Sequence, residues 1–215
     1  MVHLNECLEV RGINVKTKEE KSRNPELVPH TLAIVFADIV GFTALLAMHG
    51  DLDLLERLRE FRPDVERLAT AYSGRCIKFV GDTFLAVFED VANVLPFAAA
   101  LSRSRSQQTA PANWRLRFSL HLATVFIEQT SYGEDILGAG VNIAAHLTSS
   151  AEAGQMVVSR AAWQALPAQQ VTLLGPMERA FNSREWLRKW SSAAWISLGC
   201  RCGKWTLVKP LLLPR

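Results

Sequence analysis

The sequence has no long apolar run. Across 215 residues, no stretch stays hydrophobic for the roughly 20 positions that a bilayer-crossing helix needs. The opening residues, MVHLNECLEVRGINVKTKEEKSRN, also lack the apolar centre of a secretory signal, so a cytoplasmic protein with no membrane partner is expected. Charge of one sign is scarce too. A formal net charge of +3 gives no argument for a nucleic-acid or membrane partner. Cysteine is sparse, with Cys7 and Cys76 alone and Cys200 and Cys202 in a CxC pair. No His stands beside that pair and no second pair completes it, which excludes the usual zinc spacings. No strand-like segment carries paired aromatics flanked by basic residues, so an RNA- or DNA-binding sheet is disfavoured. No internal repeat is visible.

What is present is enough apolar material for one sizeable core: 49% of residues are hydrophobic and 21% charged. Residues 1–30 are polar and mixed in charge and read as a flexible arm, too short for a sensor domain. From Thr31 to Ala37 a β-branched and apolar run predicts a strand. FTALLAMHG predicts a short helix stopping at Gly50. The next segment has apolar residues at helical spacing, Leu54, Leu55, Leu58, Phe61, Val65 and Leu68, with Asp51 at its start, a kink at Pro63 and Gly74 at its end. RCIKFVGDTFLAVFED holds two apolar runs around Gly81-Asp82, a hairpin signature. VANVLPFAAALSRSRSQ reads as a helix, WRLRFSLHLATVFI as a long strand, and GAGVNIAAHLTSSAEAG as a small-residue helix. QMVVS reads as a short strand and RAAWQAL as a short helix. The resulting order, β-α-α-β-β-α-β-α-β, predicts an α+β fold: an antiparallel-centred sheet with helices on one face. From Phe181 onward both periodicities fade, while Trp186, Trp190, Trp195 and Trp205 crowd into a basic tail.

Two acids sit where strands end. Asp38 follows the first strand and precedes a Gly and a helix, and Asp82 occupies the hairpin tip. If these strands are neighbours, both carboxylates reach one edge of the sheet. Two hard oxygen donors there suit Mg²⁺ or Mn²⁺, although an Asp beside Gly also serves a turn without any ligand. After Asp38, the unpaired amides that begin the next helix can receive a phosphate, and Gly41 lets a phosphate approach the backbone.

Four segments, FADIVGFT, IKFVGDTFLAVF, DILGAGVNIAAHL and GQMVVS, resemble in order and spacing the class III nucleotidyl cyclase catalytic domain. The resemblance covers roughly Thr31 to Leu166. It implies a ferredoxin-like cyclase fold over residues 31–180, acting as a head-to-tail homodimer with active sites shared across the interface. It further implies that Asp38 and Asp82, with the Ile39 backbone carbonyl, hold two Mg²⁺ (or Mn²⁺). Gly41, Phe42 and Thr43 would lie at the triphosphate, and Arg117 would contact the phosphates. Lys78 and Asp135 would read the base, and Asn142 would orient the ribose. The implied reaction converts ATP to 3′,5′-cyclic AMP and pyrophosphate through attack of the ribose 3′-oxygen on the α-phosphorus. Lys78 offers donors and Asp135 acceptors, which complements the acceptor N1 and the amino group of adenine and opposes guanine.

Three departures from the family pattern matter. His146 stands where Arg is usual; it shares a helix face with Asn142 and is shorter and titratable. It can act as imidazolium, be compensated by Arg117 or Arg179, or mark a slow or vestigial enzyme. Ser119 and Ala123 stand where Gly is common, and His121 is expected to be structural. The tail does not continue the closing strand that LLGPMERAF begins, and reads either as an interfacial segment or as an altered terminus. Two alternatives to an adenylyl cyclase stay open: a guanylyl cyclase, and a cyclase-like binding or regulatory domain.

Overall fold

The computed structural model describes residues 28–106, 114–174, 195–201 and 204–209. The apolar run after the N-terminal segment forms β1 (Pro29–Ile39), followed by α1 (Phe42–His49) and α2 (Asp51–Ala71). The helix α2 runs on through Pro63 and ends before Gly74: Ser73 takes the left-handed conformation (φ 57°) and Gly74 already opens the next strand. The Phe88 ring lies where a Gly74 side chain would stand, so packing, rather than helix termination, accounts for that glycine.

The predicted hairpin is present. The strands β2 (Gly74–Val80) and β3 (Thr83–Phe88) close on Gly81-Asp82, with Gly81 at φ 63°, the positive-φ geometry that tight hairpin loops require. A short 3₁₀ turn (Val91–Asn93) leads into α3 (Val94–Ser106). Then come β4 (Leu116–Thr130), β5 (Gly133–Leu137), α4 (Ala139–Thr148), β6 (Gln155–Ser159), α5 (Arg160–Ala165) and α6 (Ala168–Leu174). The chain closes with β7 (Trp195–Arg201) and β8 (Lys204–Lys209). The sheet order is β2-β3-β1-β4-β6-β7-β8, with β5 added to the far end of β4. All pairings are antiparallel except β4 with β6.

Alternation along β1 divides the core in two. Ala33, Val35 and Ala37 face a cluster with Leu54, Leu58, Phe61 and Val65 of α2, Phe97 and Leu101 of α3, and Ala162 and Trp163 of α5. Each buried Leu or Phe in that stripe contributes about 1.5–3 kcal/mol of burial. Leu32 and Ile34 face the other way, toward Leu85, Val87, Val125, Ile136 and Ala144. Helices on a single face were expected, and this is corrected: α4 and β5 cover the second face. The small residues that make α4 look weakly amphipathic are what let it approach the sheet, since a side chain on Gly140 would collide with Ala123.

The expected loss of the closing strand is also corrected. The backbone of Trp195–Arg201 pairs antiparallel with β6, and Lys204–Lys209 pairs with β7. Irregular side-chain period did not prevent strand formation, because the β6 edge supplies a ready ladder of amides and carbonyls. Trp186, Trp190, Arg179, Cys7, Cys202 and residues 1–27 of the N-terminal arm lie outside the described residues, while Pro29 and His30 already belong to β1.

Candidate active site

The site grows from the second sheet face. On β1, Phe36 and Asp38 share the parity of Leu32 and Ile34 and so point toward α4. With Leu85 of β3 and Lys78 of β2 they floor a cleft of about 330 Å³, walled by Ala145, Thr148 and Ser149 at the end of α4. One cleft therefore holds an acid implied in metal binding and a lysine implied in base reading.

Asp38 is next to the last residue of β1 and lies opposite Arg117 in the β1–β4 register. Arg117 donates from Nε to Asp38 Oδ1 at 2.6 Å and from Nη2 to Oδ2 at 2.8 Å, a bidentate pair with one-sixth of the Asp38 side chain exposed. This hydrogen bonding raises the guanidinium pKa further. The arginine expected at the phosphates thus sits on Asp38, with Nη1 also directed at the Ser149 carbonyl at 3.5 Å.

Asp82, in the hairpin turn, has its pKa raised. Burial is the main cause, and the negative charge of Asp38 adds to it, while the backbone amides of Asp82 itself and of Ile39 oppose it. The two carboxylates therefore feel each other's charge at the end of β1, where Ile39 is buried. Among the described residues no group of three or more His, Cys, Asp or Glu could hold a metal. Two mutually repelling carboxylates beside a strand-end carbonyl nevertheless fit Mg²⁺ or Mn²⁺, which take one or two protein carboxylates and complete their shell with water and substrate oxygens.

Beyond Ile39, Gly41 adopts φ 76° and ψ 20° as the N-cap of α1, with no side-chain cap and no acid in the first turn. Gly41 and Thr43 are exposed and Phe42 is half-buried. The start of α1 presents open amides with their partial positive charge.

Lys78 and Asp135 meet although 57 residues apart: Lys78 Nζ donates to both Asp135 carboxylate oxygens at 2.7 Å. Asp135 also accepts from the Ile136 amide at 2.8 Å. The lysine's hydrogen bond is the main force lowering the Asp135 pKa. Asp135 lies within β5. Asn142 and His146 are both exposed on α4, one turn apart.

Ser119, in the place of a common glycine, has a definite task. Its buried Oγ donates to the Ala144 carbonyl at 2.7 Å and accepts from Thr148 Oγ1 at 2.9 Å, clamping α4 to β4. His121 is half-buried, and burial pushes its imidazole down to about 4. Arg75 and Glu134, joined at 2.6 Å beside the Lys78–Asp135 pair, were missed by sequence reasoning. Glu134 adjoins Asp135 and Arg75 lies three residues before Lys78, which was the available signal.

Comparison with known proteins bears on the family and the fold. The sequence pattern described as "Adenylate and Guanylate cyclase catalytic domain" matches residues 28–180. An adenylate cyclase of Streptomyces coelicolor is 32% identical over 137 residues, 63% of this chain and 34% of that protein. One from Glutamicibacter nicotianae is 30% identical over 148 residues, 69% of this chain and 35% of the relative. The chain thus spans about a third of the length of the curated relatives it matches. Among solved structures, the catalytic core of a rhodopsin-guanylyl cyclase with converted specificity, in complex with ATPalphaS, aligns with a TM-score of 0.67. That match has 18% identity and covers 76% of this chain and 94% of that one. A Trypanosoma brucei adenylate cyclase in its monomeric state aligns with a TM-score of 0.63 and 21% identity, covering 76% and 87%. On its sequence pattern and its fold, this chain belongs to the adenylate and guanylate cyclase catalytic-domain family.

Proposed function

We propose that the protein is an adenylyl cyclase that forms 3′,5′-cyclic AMP and pyrophosphate from ATP. The observation that carries this reading is the Lys78–Asp135 pair, which presents a donor and an acceptor side by side at the cleft. Adenine offers the matching acceptor at N1 and donor at its amino group. Guanine would set its N1–H against the ammonium, donor against donor. The similarity to relatives named adenylate cyclase supports the same base.

In this reading the amides of Gly41, Phe42 and Thr43 hold the triphosphate, and Asn142 orients the ribose. The residues fold one molecule so that its 3′-oxygen lies in line with its own α-phosphorus, which removes the cost of bringing two reactants together. Asp38, Asp82 and the Ile39 carbonyl would hold two divalent cations, whose chemistry is to acidify the 3′-hydroxyl and neutralise phosphate charge. His146 donates toward the phosphate charge that develops during attack. Arg117 exchanges its hold on Asp38 for the phosphates. The product is the cyclic ester, the leaving group is pyrophosphate, and the proton lost by the 3′-hydroxyl passes to the pyrophosphate or to water, so atoms and charge balance without a further reactant.

The competent unit in this reading is a head-to-tail homodimer. Every role has a residue in the one chain, so two identical shared sites need no different partner. Exposed apolar side chains at Val80 and Leu137, close to the Lys78–Asp135 pair in sequence, suit such an interface. The test is purified protein with Mn²⁺ and either ATP or GTP across pH, read as cyclic nucleotide formed, with sedimentation for the dimer. Cyclic AMP in excess of cyclic GMP supports the reading. A reversed preference would replace it with a guanylyl cyclase, and nucleotide binding without product with a regulatory domain.

A further inference from the structure

We propose that Arg75 and Glu134, together with a β-bulge at Ile77, are positioning residues for base selection. They fix the β4–β5 arm over β2 so that Lys78 and Asp135 meet the base at a set spacing. The inference rests on the reading of Lys78 and Asp135 as the base-reading pair.

The bulge decides which side Lys78 takes. In the β2–β3 ladder Arg75 faces Val87, Cys76 faces Ala86, and then Lys78, not Ile77, faces Leu85. One residue of β2 is extra. Without it, strict alternation would put Lys78 on the side of Cys76, against the α2-covered core. With it, Lys78 and Arg75 lie opposite Leu85 and Val87, which both belong to the second core. Cys76 and Phe79 pack on the first core, and Ile77 on the second, as this shift requires.

The strand β5 then has to be brought to β2 without a backbone ladder. It pairs with β4 alone and folds across the second face, where Ile136 and Ile127 pack near Ile77. Two side-chain bridges span the gap: Lys78–Asp135, and Arg75 Nε to Glu134 Oε1 at 2.6 Å. Isolated surface ion pairs add little. This one is only about one-third exposed at either partner, and it joins the residue next to Asp135 to a residue on the Lys78 side of β2. When the nucleotide base takes up hydrogen bonds from Lys78 and Asp135, their mutual bridge weakens, and Arg75–Glu134 is then the ionic link that keeps the arm in place. Glu89, 3.8 Å from Arg75, lies on the strand side and cannot substitute for a contact to β5.

The test compares Arg75→Met, Glu134→Gln and the charge exchange Arg75→Glu/Glu134→Arg in the full chain. Two readouts are used: the ratio of kcat/KM for ATP over GTP, and competitive binding of 3′-deoxy-ATP against 3′-deoxy-GTP, which needs no turnover. Each single variant is expected to lower the ATP preference about fivefold in both, mainly through KM, with the exchange variant recovering most of it. Equal loss for both nucleotides, tracking a lower Tm, would overturn the proposal in favour of simple arm stability; an unchanged ratio would also overturn it. Lys78→Ala serves as the separate control. If that variant keeps the wild-type preference, the base-reading assignment itself fails, whereas a normal Lys78 effect with silent Arg75 variants removes only the positioning role.

Discussion

Two ion pairs on the same face of the sheet use the same device in opposite ways. At the proposed base-reading pair a cation from β2 holds an acid from β5, Lys78 on Asp135. At the proposed phosphate and metal pair a cation from β4 holds an acid from β1, Arg117 on Asp38. The first pair is made of two groups that both face the substrate in the proposed reaction, so pairing keeps each in place and lets the base insert. The second pair joins a group proposed for phosphate to one proposed for metal. Pairing there uses both oxygens that a cation would need, and the ion pair has to open before either group acts. In the proposed reaction, preorganisation of one pair and exchange at the other would follow from which strands are neighbours. Asp38 and Arg117 lie directly opposite in the ladder, whereas Lys78 and Asp135 meet only because β5 folds over the sheet.

The sharpest way to break this comparison is at the proposed phosphate and metal pair. Asp38→Ala or Asp82→Ala is expected to lower cyclase turnover by several orders of magnitude with Mn²⁺ present, measured as cyclic AMP formed per site. Substantial turnover in both would end the metal assignment. At the proposed base-reading pair, Lys78→Ala should lower kcat/KM for ATP about 100-fold and that for GTP much less, measured in parallel assays. A smaller effect is expected on α4, where His146→Arg should raise turnover about tenfold by supplying a permanent charged fork. An unchanged rate would mean that the helix face carrying Asn142 does not meet phosphate.

The smallest effect concerns the strand that carries Arg117. Folded His121 stays neutral down to about 4, against 6.5 for the free imidazole. The unfolded chain therefore binds the extra proton between those values, and stability falls as pH drops from about 6.5 toward 4. The loss from this group is about 1–2 kcal/mol after allowance for partial exposure. Urea titrations at pH 7 and pH 5 should show a smaller acid loss in His121→Gln than in the parent. An equal loss would assign the acid sensitivity to other groups.

Much of this was legible in the residues. The run Thr31–Ala37 gave its strand because β-branched and apolar side chains fit a pleated, buried surface. Gly81-Asp82 gave its hairpin because the loop needs positive φ. The spacing of Leu54, Leu58, Phe61 and Val65 gave α2 and the side it buries. Less legible was β5: five residues, GEDIL, carry too little alternation to stand apart from a loop, and their strand exists through pairing with β4. The strands after Phe181 were hidden for a similar reason, since their ladder lies on β6 rather than in their own pattern.

By itself, then, the sequence determined the strands and helices from Thr31 to Leu166 other than β5, where the hairpin turns, and which acids and bases stand near strand ends. Those are local matters of backbone preference and side-chain period. Tertiary structure alone decided the side of the sheet that each charge takes. One extra residue at Ile77 moves Lys78 to the face where Asp135 waits, and one ladder register sets Arg117 against Asp38. A period of two turns any single-residue shift into a change of face, and the partner strands that fix the shift lie far away along the chain.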